Sequence, residues 1–330
     1  MNQKKTIIKI NMQTQTEIQT GKELVLIPSV TLSSGEVVKD IPVVFETSET
    51  DWKHKPVVLV IHALTGSSHA KCTSFDAAPG WWEAFIGDES ASVDLKKFSV
   101  ISPNLPGSCY GSWLPLKQSG LTLSIQDISR VLEAFLLHVG VTTIHAVLGG
   151  SLGGMISLQL VKNQVIKIKK AVAISCGARQ SAWAKSWGHL GLTALNSAKD
   201  EQSGLALARQ IAMISYRTHP DFESKDQQGT VQSYLDYQGK KFVDRFDAWA
   251  YEILVRAMDT HDLGKEIISV QTEVLVIANL DDVLYPVADQ KDIVNLFENS
   301  QYFEFASDKG HDAFLTDDEV LNPVIGKFLN

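Results

Sequence analysis

The sequence predicts an α/β fold, a mostly parallel, doubly wound sheet with an inserted helical cap, on three observations. Short apolar runs of the kind found in strands buried on both faces recur along the chain: 57–62, 98–104, 144–150, 170–176, 273–279 and 302–307. Helical patterns lie between most of them, which is the alternation of a doubly wound sheet. From about Ala178 to Leu263 the strand-like runs stop and amphipathic helical stretches such as GLALARQIAMISY and FDAWAYEILVRAMD take their place. The expected division is a core of residues 1–177 and 264–330 with a helical lid of residues 178–263, over the strand carboxyl ends where open α/β sheets bind ligands.

The elements follow in order. ELVLIPSVTL, the turn SSGE and EVVKDIPVVFET read as hairpin strands at an antiparallel sheet edge. Ser124 to Gly140 has apolar residues at helical spacing and ends in glycine. Val287 to Asn299 and Thr316 to Leu329 look similar, the last opening with a Thr316/Glu319 capping box.

Composition narrows the function. The chain has 330 residues, 44% hydrophobic and 21% charged, with a formal net charge of -8 at pH 7. That charge argues against a nucleic-acid partner, whose affinity rests on clustered Lys and Arg. The basic start MNQKKTIIKINMQTQ has too short an apolar run for a signal segment, and no long apolar stretch follows. A cytoplasmic protein without membrane partners is expected. Cys72, Cys109 and Cys176 are widely spaced and odd in number, so no disulfide framework or metal site is expected, and Cys176 reads as a small buried hydrophobe ending a strand.

One motif carries chemistry. Gly149-Gly150-Ser151-Leu152-Gly153 fits GxSxG between a strand-like and a helix-like segment. There a serine occupies a strained turn whose neighbours must be small. The plain alternative is a glycine-rich turn with an incidental serine. A phosphate loop is disfavoured because no Lys-Ser/Thr follows and GxGxxG spacing is absent. A serine nucleophile needs a base, and the base an orienting acid, in the chain order Ser, acid, His. Asp282 follows the run EVLVIAN and His311 follows YFEFAS, so both fall on loops at the sheet edge of Ser151, with Asp281 a rival for the acid. His54, His62 and His69 come too early, His138 and His145 lie in or beside regular elements, and His189, His219 and His261 lie in the cap. Oxyanion donors are expected from the amides of Leu152, after the nucleophile, and Leu64, in the loop after an early strand. His62 reads as packing.

With these residues in hand, the chain resembles the homoserine O-acetyltransferase family of α/β-hydrolase-fold acyltransferases. The resemblance runs from about Val58 onward through HALTG (62–66), PGWW (79–82), GGSLGGM (149–155), GARQSA (177–182), GLALARQIAMISYR (204–217), SYLDYQGKKFVDRFDA (233–248), AMDTHDL (257–263), DVLYP (282–286) and GHDAFL (310–315). It implies Asp282 over Asp281. It also implies a two-step reaction of methionine biosynthesis: acetyl-CoA, as co-substrate, acylates Ser151 with His311 as base, and the L-homoserine hydroxyl then takes the acetyl group, without a metal or other cofactor. Arg209 is implied for the acceptor's carboxylate, Asp312 for its ammonium and Tyr216 for the pocket wall; the bland readings are a helix-surface ion pair for Arg209 and a helix-start acid for Asp312. Relatives pair through cap helices, which implies a homodimer.

Departures from the family pattern bear on donor and acceptor rather than on the triad. They are Pro106, Ser108, Trp113 and Leu114 in NLPGSCYGSWLP, Leu152 and Ile156 in the elbow, Trp249-Ala250, and a shortened stretch between Trp183 and Gly204. An esterase or thioesterase on the same scaffold, or transfer involving L-serine or succinyl-CoA, are the alternatives.

Overall fold

The computed structural model describes residues 22–74, 76–110, 120–226 and 229–330. Expectations placed on the chain's first residues, Trp113 and Leu114 lie outside the described residues.

The strands are β1 (Lys22–Thr31), β2 (Val37–Thr47), β3 (Val57–Ile61), a small parallel pair β4 (Ile86–Gly87) and β5 (Val93–Asp94), β6 (Ser99–Pro103), β7 (Thr143–Gly150), β8 (Lys167–Ile174), β9 (Glu273–Asn279) and β10 (Ser300–Phe305). All but the small pair form one sheet in the order β1-β2-β6-β3-β7-β8-β9-β10. The hairpin β1–β2 is antiparallel and β2 meets β6 antiparallel; from β6 to β10 every pairing is parallel. β3 shows why the inner strands read as unbroken apolar runs. Leu59 and Ile61 join one hydrophobic cluster and Val58 and Val60 the other, so alternate side chains enter cores on opposite faces.

The first cluster is covered by α1 (Ile125–His138) and α2 (Leu152–Asn163), and among the described residues five helices stand between β8 and β9: α3 (Ala182–Ser197), α4 (Glu201–Tyr216), α5 (His219–Lys225), α6 (Val231–Val243) and α7 (Ala248–Asp259). The chain ends with α8 (Val287–Val294), the short α9 (Ala313–Thr316) and α10 (Asp318–Leu329). No helix among the described residues is long and apolar enough to cross a membrane.

Three local expectations need correction. The segment expected to be one helix from Thr316 is broken at Asp317 (φ -97°, ψ 50°), and no Thr316/Glu319 box forms. Thr316 Oγ1 instead donates to Asp317 Oδ1 at 3.0 Å. The box appears on α1, where Ser124 and Asp127 satisfy each other's backbone amides. The helix from Val287 stops at Val294 rather than Asn299. β8 ends at Ile174, not Cys176, because Ser175 takes a positive φ of 50°; Cys176 is buried, as expected.

A polar strip joins α1 to α2 inside the apolar layer. Asn163 Nδ2 donates to Glu133 Oε1 at 2.7 Å and Ser129 Oγ at 3.2 Å, while Gln159 Nε2 donates to Gln126 Oε1 at 2.6 Å. Burial pushes the Glu133 carboxyl up from its ordinary 4.5 to about 7, against the opposing pull of Asn163 and Arg130. Between those two values the folded chain holds a proton that the unfolded chain has lost, so stability falls as pH rises through this window and stays lower above it. Glu133→Gln should remove that loss: urea unfolding midpoints should favour the variant above pH 7 and converge towards pH 4. Parallel pH curves for the two proteins would contradict the assignment.

Candidate active site

The site is built on the turn from β7 into α2. Ser151 has φ 55° and ψ -124°, a conformation sparsely populated by residues other than glycine. Such a turn folds helix back onto strand and leaves no room beside it. A Cβ on Gly149 would lie 2.3 Å from the Gly153 carbonyl carbon, and one on Gly153 would lie 2.2 Å from the Ile61 oxygen. The glycines around the serine are therefore a steric requirement, as expected. The Ser151 N–H donates to the Ile174 carbonyl at 2.9 Å, while its hydroxyl has no partner among the described residues.

The other two members of the expected triad meet at the same sheet edge. His311 Nδ1 and Asp282 Oδ2 are 2.8 Å apart, both side chains buried. Asp282 Oδ1 accepts the amides of Leu284 and Tyr285, each at 2.9 Å, so the carboxylate is fixed by its own loop. With Nδ1–H donating to Asp282, Nε2 is left as the basic nitrogen. Asp281 points elsewhere: its Oδ2 accepts the Ser307 amide at 3.0 Å. The rings of Tyr216, Tyr285 and Phe314 surround the imidazole at centroid distances of 5.5, 5.4 and 5.7 Å. Phe314 also covers Gly150, where a Cβ would come within 2.4 Å of its ring, so one aromatic side chain bridges the turn of Ser151 and the turn of His311. Ser151 and His311 share no hydrogen bond among the described residues; contacts of this kind commonly tighten only when substrate binds.

Burial of His311 opposes its protonation, but the charge and hydrogen bond of Asp282, helped by Asp312, outweigh it and raise its pKa above the ordinary 6.5. His62 takes the opposite course. Fully buried, it is held neutral with a pKa lowered to about 4. Its Nδ1 donates to the Ala63 carbonyl at 2.7 Å and its Nε2 accepts the Leu105 amide at 3.0 Å. It is a packing residue, as its sequence position suggested, and it ties the turn after β3 to the loop after β6. Leu64 lies in that turn and Leu152 is the first residue of α2; neither amide has a partner among the described residues. Arg245 secures the same turn from the other side, donating to the Thr65 carbonyl at 2.8 Å.

Of the three residues implied for substrate, two are neighbours on one helix. Arg209 and Tyr216 share α4, with the guanidinium 5.7 Å from the Tyr216 ring centroid and 5.3 Å from that of Phe242. Arg209 is half-buried and has no carboxylate partner among the described residues, so it is not the surface ion pair of the bland reading. Asp312 caps no helix with its side chain; its Oδ2 forms an ion pair with Arg217 Nη2 at 3.0 Å. A cavity beside them is lined by Leu64, Tyr216, Tyr251, Leu284 and Tyr285. Among the described residues no cluster of His, Cys, Asp or Glu could hold a metal ion.

Sequence reasoning missed Arg217 and Asn279. Asn279 Nδ2 donates to the Gly310 carbonyl at 2.7 Å, tying the His311 turn to the end of β9. Its signal was visible as the one polar residue closing the run EVLVIAN.

A family profile described as the alpha/beta hydrolase fold matches residues 56–318. The homoserine O-acetyltransferase of Carboxydothermus hydrogenoformans is 31% identical, the alignment spanning 94% of this chain and 95% of that one. The homoserine O-acetyltransferase of Thermus thermophilus is 33% identical over 89% of this chain and 87% of its own. The crystal structure of homoserine O-acetyltransferase from Staphylococcus aureus superposes with a TM-score of 0.83 at 26% identity, covering 94% of this chain and 95% of that one. The chain belongs to the homoserine O-acetyltransferase family of α/β-hydrolase-fold enzymes.

Proposed function

We propose that the protein transfers an acetyl group from acetyl-CoA to the side-chain hydroxyl of L-homoserine, a step of methionine biosynthesis, through an acyl-serine intermediate. His311 Nε2 removes the Ser151 proton as Oγ attacks the thioester carbonyl, then returns a proton to the departing thiolate. The oxyanion formed in that step meets the amides of Leu64 and Leu152. In the second half the same imidazole deprotonates the homoserine hydroxyl, which attacks the acyl-enzyme and regenerates Ser151. Residues 178–263 act as the lid, and the exposed Leu190, Leu207, Ile214 and Tyr237 on its helices are where two cytoplasmic copies would pair.

One observation carries an amino-acid acceptor over water. A half-buried guanidinium with no carboxylate partner among the described residues, Arg209, lies over the Tyr216 ring that packs on the imidazole, and an acid, Asp312, acts on the same imidazole. Opposite charges so arranged suit an α-carboxylate and an α-ammonium, and holding both aims the hydroxyl.

Purified protein assayed with acetyl-CoA or succinyl-CoA against homoserine or serine tests this directly. Thiol release should require homoserine and prefer the acetyl donor. Release that ignores the amino acid would make the protein a thioesterase, and faster turnover with succinyl-CoA or serine would reassign the donor or acceptor.

The acid side of the kcat/KM profile tests the base. Since only neutral His311 can accept a proton, activity should fall with decreasing pH through a pKa above the ordinary imidazole value. Asp282→Asn should move that limb to lower pH and reduce kcat by on the order of 10⁴-fold. A limb that stays in place would separate Asp282 from the titrating group.

A further inference from the structure

Where α4 gives way to α5, the chain places a guanidinium between two carboxylates. Arg217 is the first residue past α4; its Nη2 lies 3.0 Å from Asp312 Oδ2 and its Nη1 3.8 Å from Asp221 Oδ2. All three are sheltered, with side-chain exposures of 18% for Arg217, 14% for Asp312 and 4% for Asp221. Asp221 in turn pairs with Lys225 and stands 3.9 Å from Lys309, whose own partner is Asp308 at 2.8 Å. Cations and carboxylates balance in this cluster. Backbone contacts hold it closed: Thr218 Oγ1 donates to the Asp308 carbonyl, and a Cβ on Gly310 would lie 2.8 Å from the Tyr216 oxygen. The turn that carries His311 and Asp312 is thereby clasped to the α4–α5 junction.

Exposed ion pairs of this length contribute little, because water competes for both partners. Here both side chains are largely withdrawn from water, and the pair leaves the Asp312 carboxylate half committed. Among the described residues Arg217 is its only side-chain partner, and that contact uses Oδ2 alone. Oδ1 remains as an acceptor, on a carboxylate held in place by the ion pair at the other oxygen.

We propose that Arg217 is a positioning residue for the acceptor: braced by Asp221, it holds Oδ2 of Asp312 so that Oδ1 receives the ammonium group of the incoming amino acid. The inference rests on the reading of Asp312 given above and extends it to a residue that need not touch substrate. Arg217 has a second effect, on the base. The charged and titratable groups facing the imidazole are Asp282 from the β9–α8 loop, Asp312 from its own turn, and the phenols of Tyr216 and Tyr285. Of these, Asp312 is the one that Arg217 neutralises.

The test is steady-state kinetics of Arg217→Gln and Arg217→Lys, after wild-type turnover with acetyl-CoA and homoserine has been established. Loss of a charge-assisted contact of this kind should raise the homoserine KM about tenfold, with a change of about twofold or less for acetyl-CoA. Lysine, which keeps the charge, should recover most of the difference. In the glutamine variant Asp312 is left uncompensated and should move the acid limb of kcat/KM to higher pH. Equal changes in both KM values with a lowered Tm, or no change and an unmoved limb, would overturn the proposal and leave a contact that only docks helix to loop. Should Arg217→Gln not fold, Asp221→Asn removes the brace alone, and it must then raise the homoserine KM selectively, though less; an unselective effect overturns the proposal equally. Wild-type protein without acceptor-dependent turnover would overturn the proposed function and this inference with it, whereas normal turnover unaffected by the Arg217 variants would overturn this inference alone.

Discussion

The backbone conformation at Ser151 is the constraint on which the rest of the structure depends. A positive φ between β7 and α2 reverses the chain within one residue, and the reversal succeeds only because Gly149 presents no side chain to the Gly153 backbone and Gly153 none to the backbone at the end of β3. The same closeness organises the neighbourhood. With Gly153 against the Ile61 carbonyl, the first turn of α2 lies on the end of β3, so the turn that follows β3 and contains Leu64 is delivered beside Leu152. In the proposed mechanism the amides of Leu64 and Leu152, from distant parts of the chain, serve the serine together. That arrangement follows from packing and requires no residue selected for itself at positions 64 and 152, since the backbone supplies the groups.

Buried charge is handled differently on the two sides of this corner. Asp282 is satisfied by two amides of its own loop and by His311, so its negative charge is available to the imidazole without moving. Asp312 is satisfied from the segment between β8 and β9, by Arg217. Among the described residues Arg209 has no such partner and lies over the faces of Tyr216 and Phe242, an arrangement that keeps a cation in place. His62, equally buried, is kept neutral because its two nitrogens meet an amide and a carbonyl and no carboxylate. The two buried imidazoles therefore differ in character for a stated reason: one faces a charge and the other does not.

Much of this was legible in the sequence. Strands buried on both faces leave continuous apolar runs, and β3, β6, β7, β8 and β9 fall within a few residues of the runs that predict them. The elbow announced itself because its glycines answer a local steric demand; the chain order of serine, acid and histidine then pointed to His311 and to Asp282 or its neighbour Asp281, and the family resemblance chose Asp282. What failed was also local. Thr316 and Glu319 had the spacing of a capping box, but Asp317 leaves the helical region and takes the Thr316 hydroxyl, so propensity lost to a neighbouring side chain. Arg217 could not be found by spacing. Its partners lie four residues away in one case and 95 in the other, and only the packing of α4 and α5 against the His311 turn brings them together. Asn279 was overlooked because a polar residue at the end of an apolar strand reads as the start of a loop, whereas here it ties two loops together.

Intact-mass analysis of the protein mixed briefly with acetyl-CoA in the absence of any acceptor bears most directly on the central claim, that the strained turn presents a hydroxyl made nucleophilic by His311. The account predicts that the mass rises by a single acetyl group, that fragmentation locates it on Ser151, and that adding homoserine discharges it. Stable acetylation elsewhere in the chain, or full turnover by a Ser151→Ala protein, would contradict it.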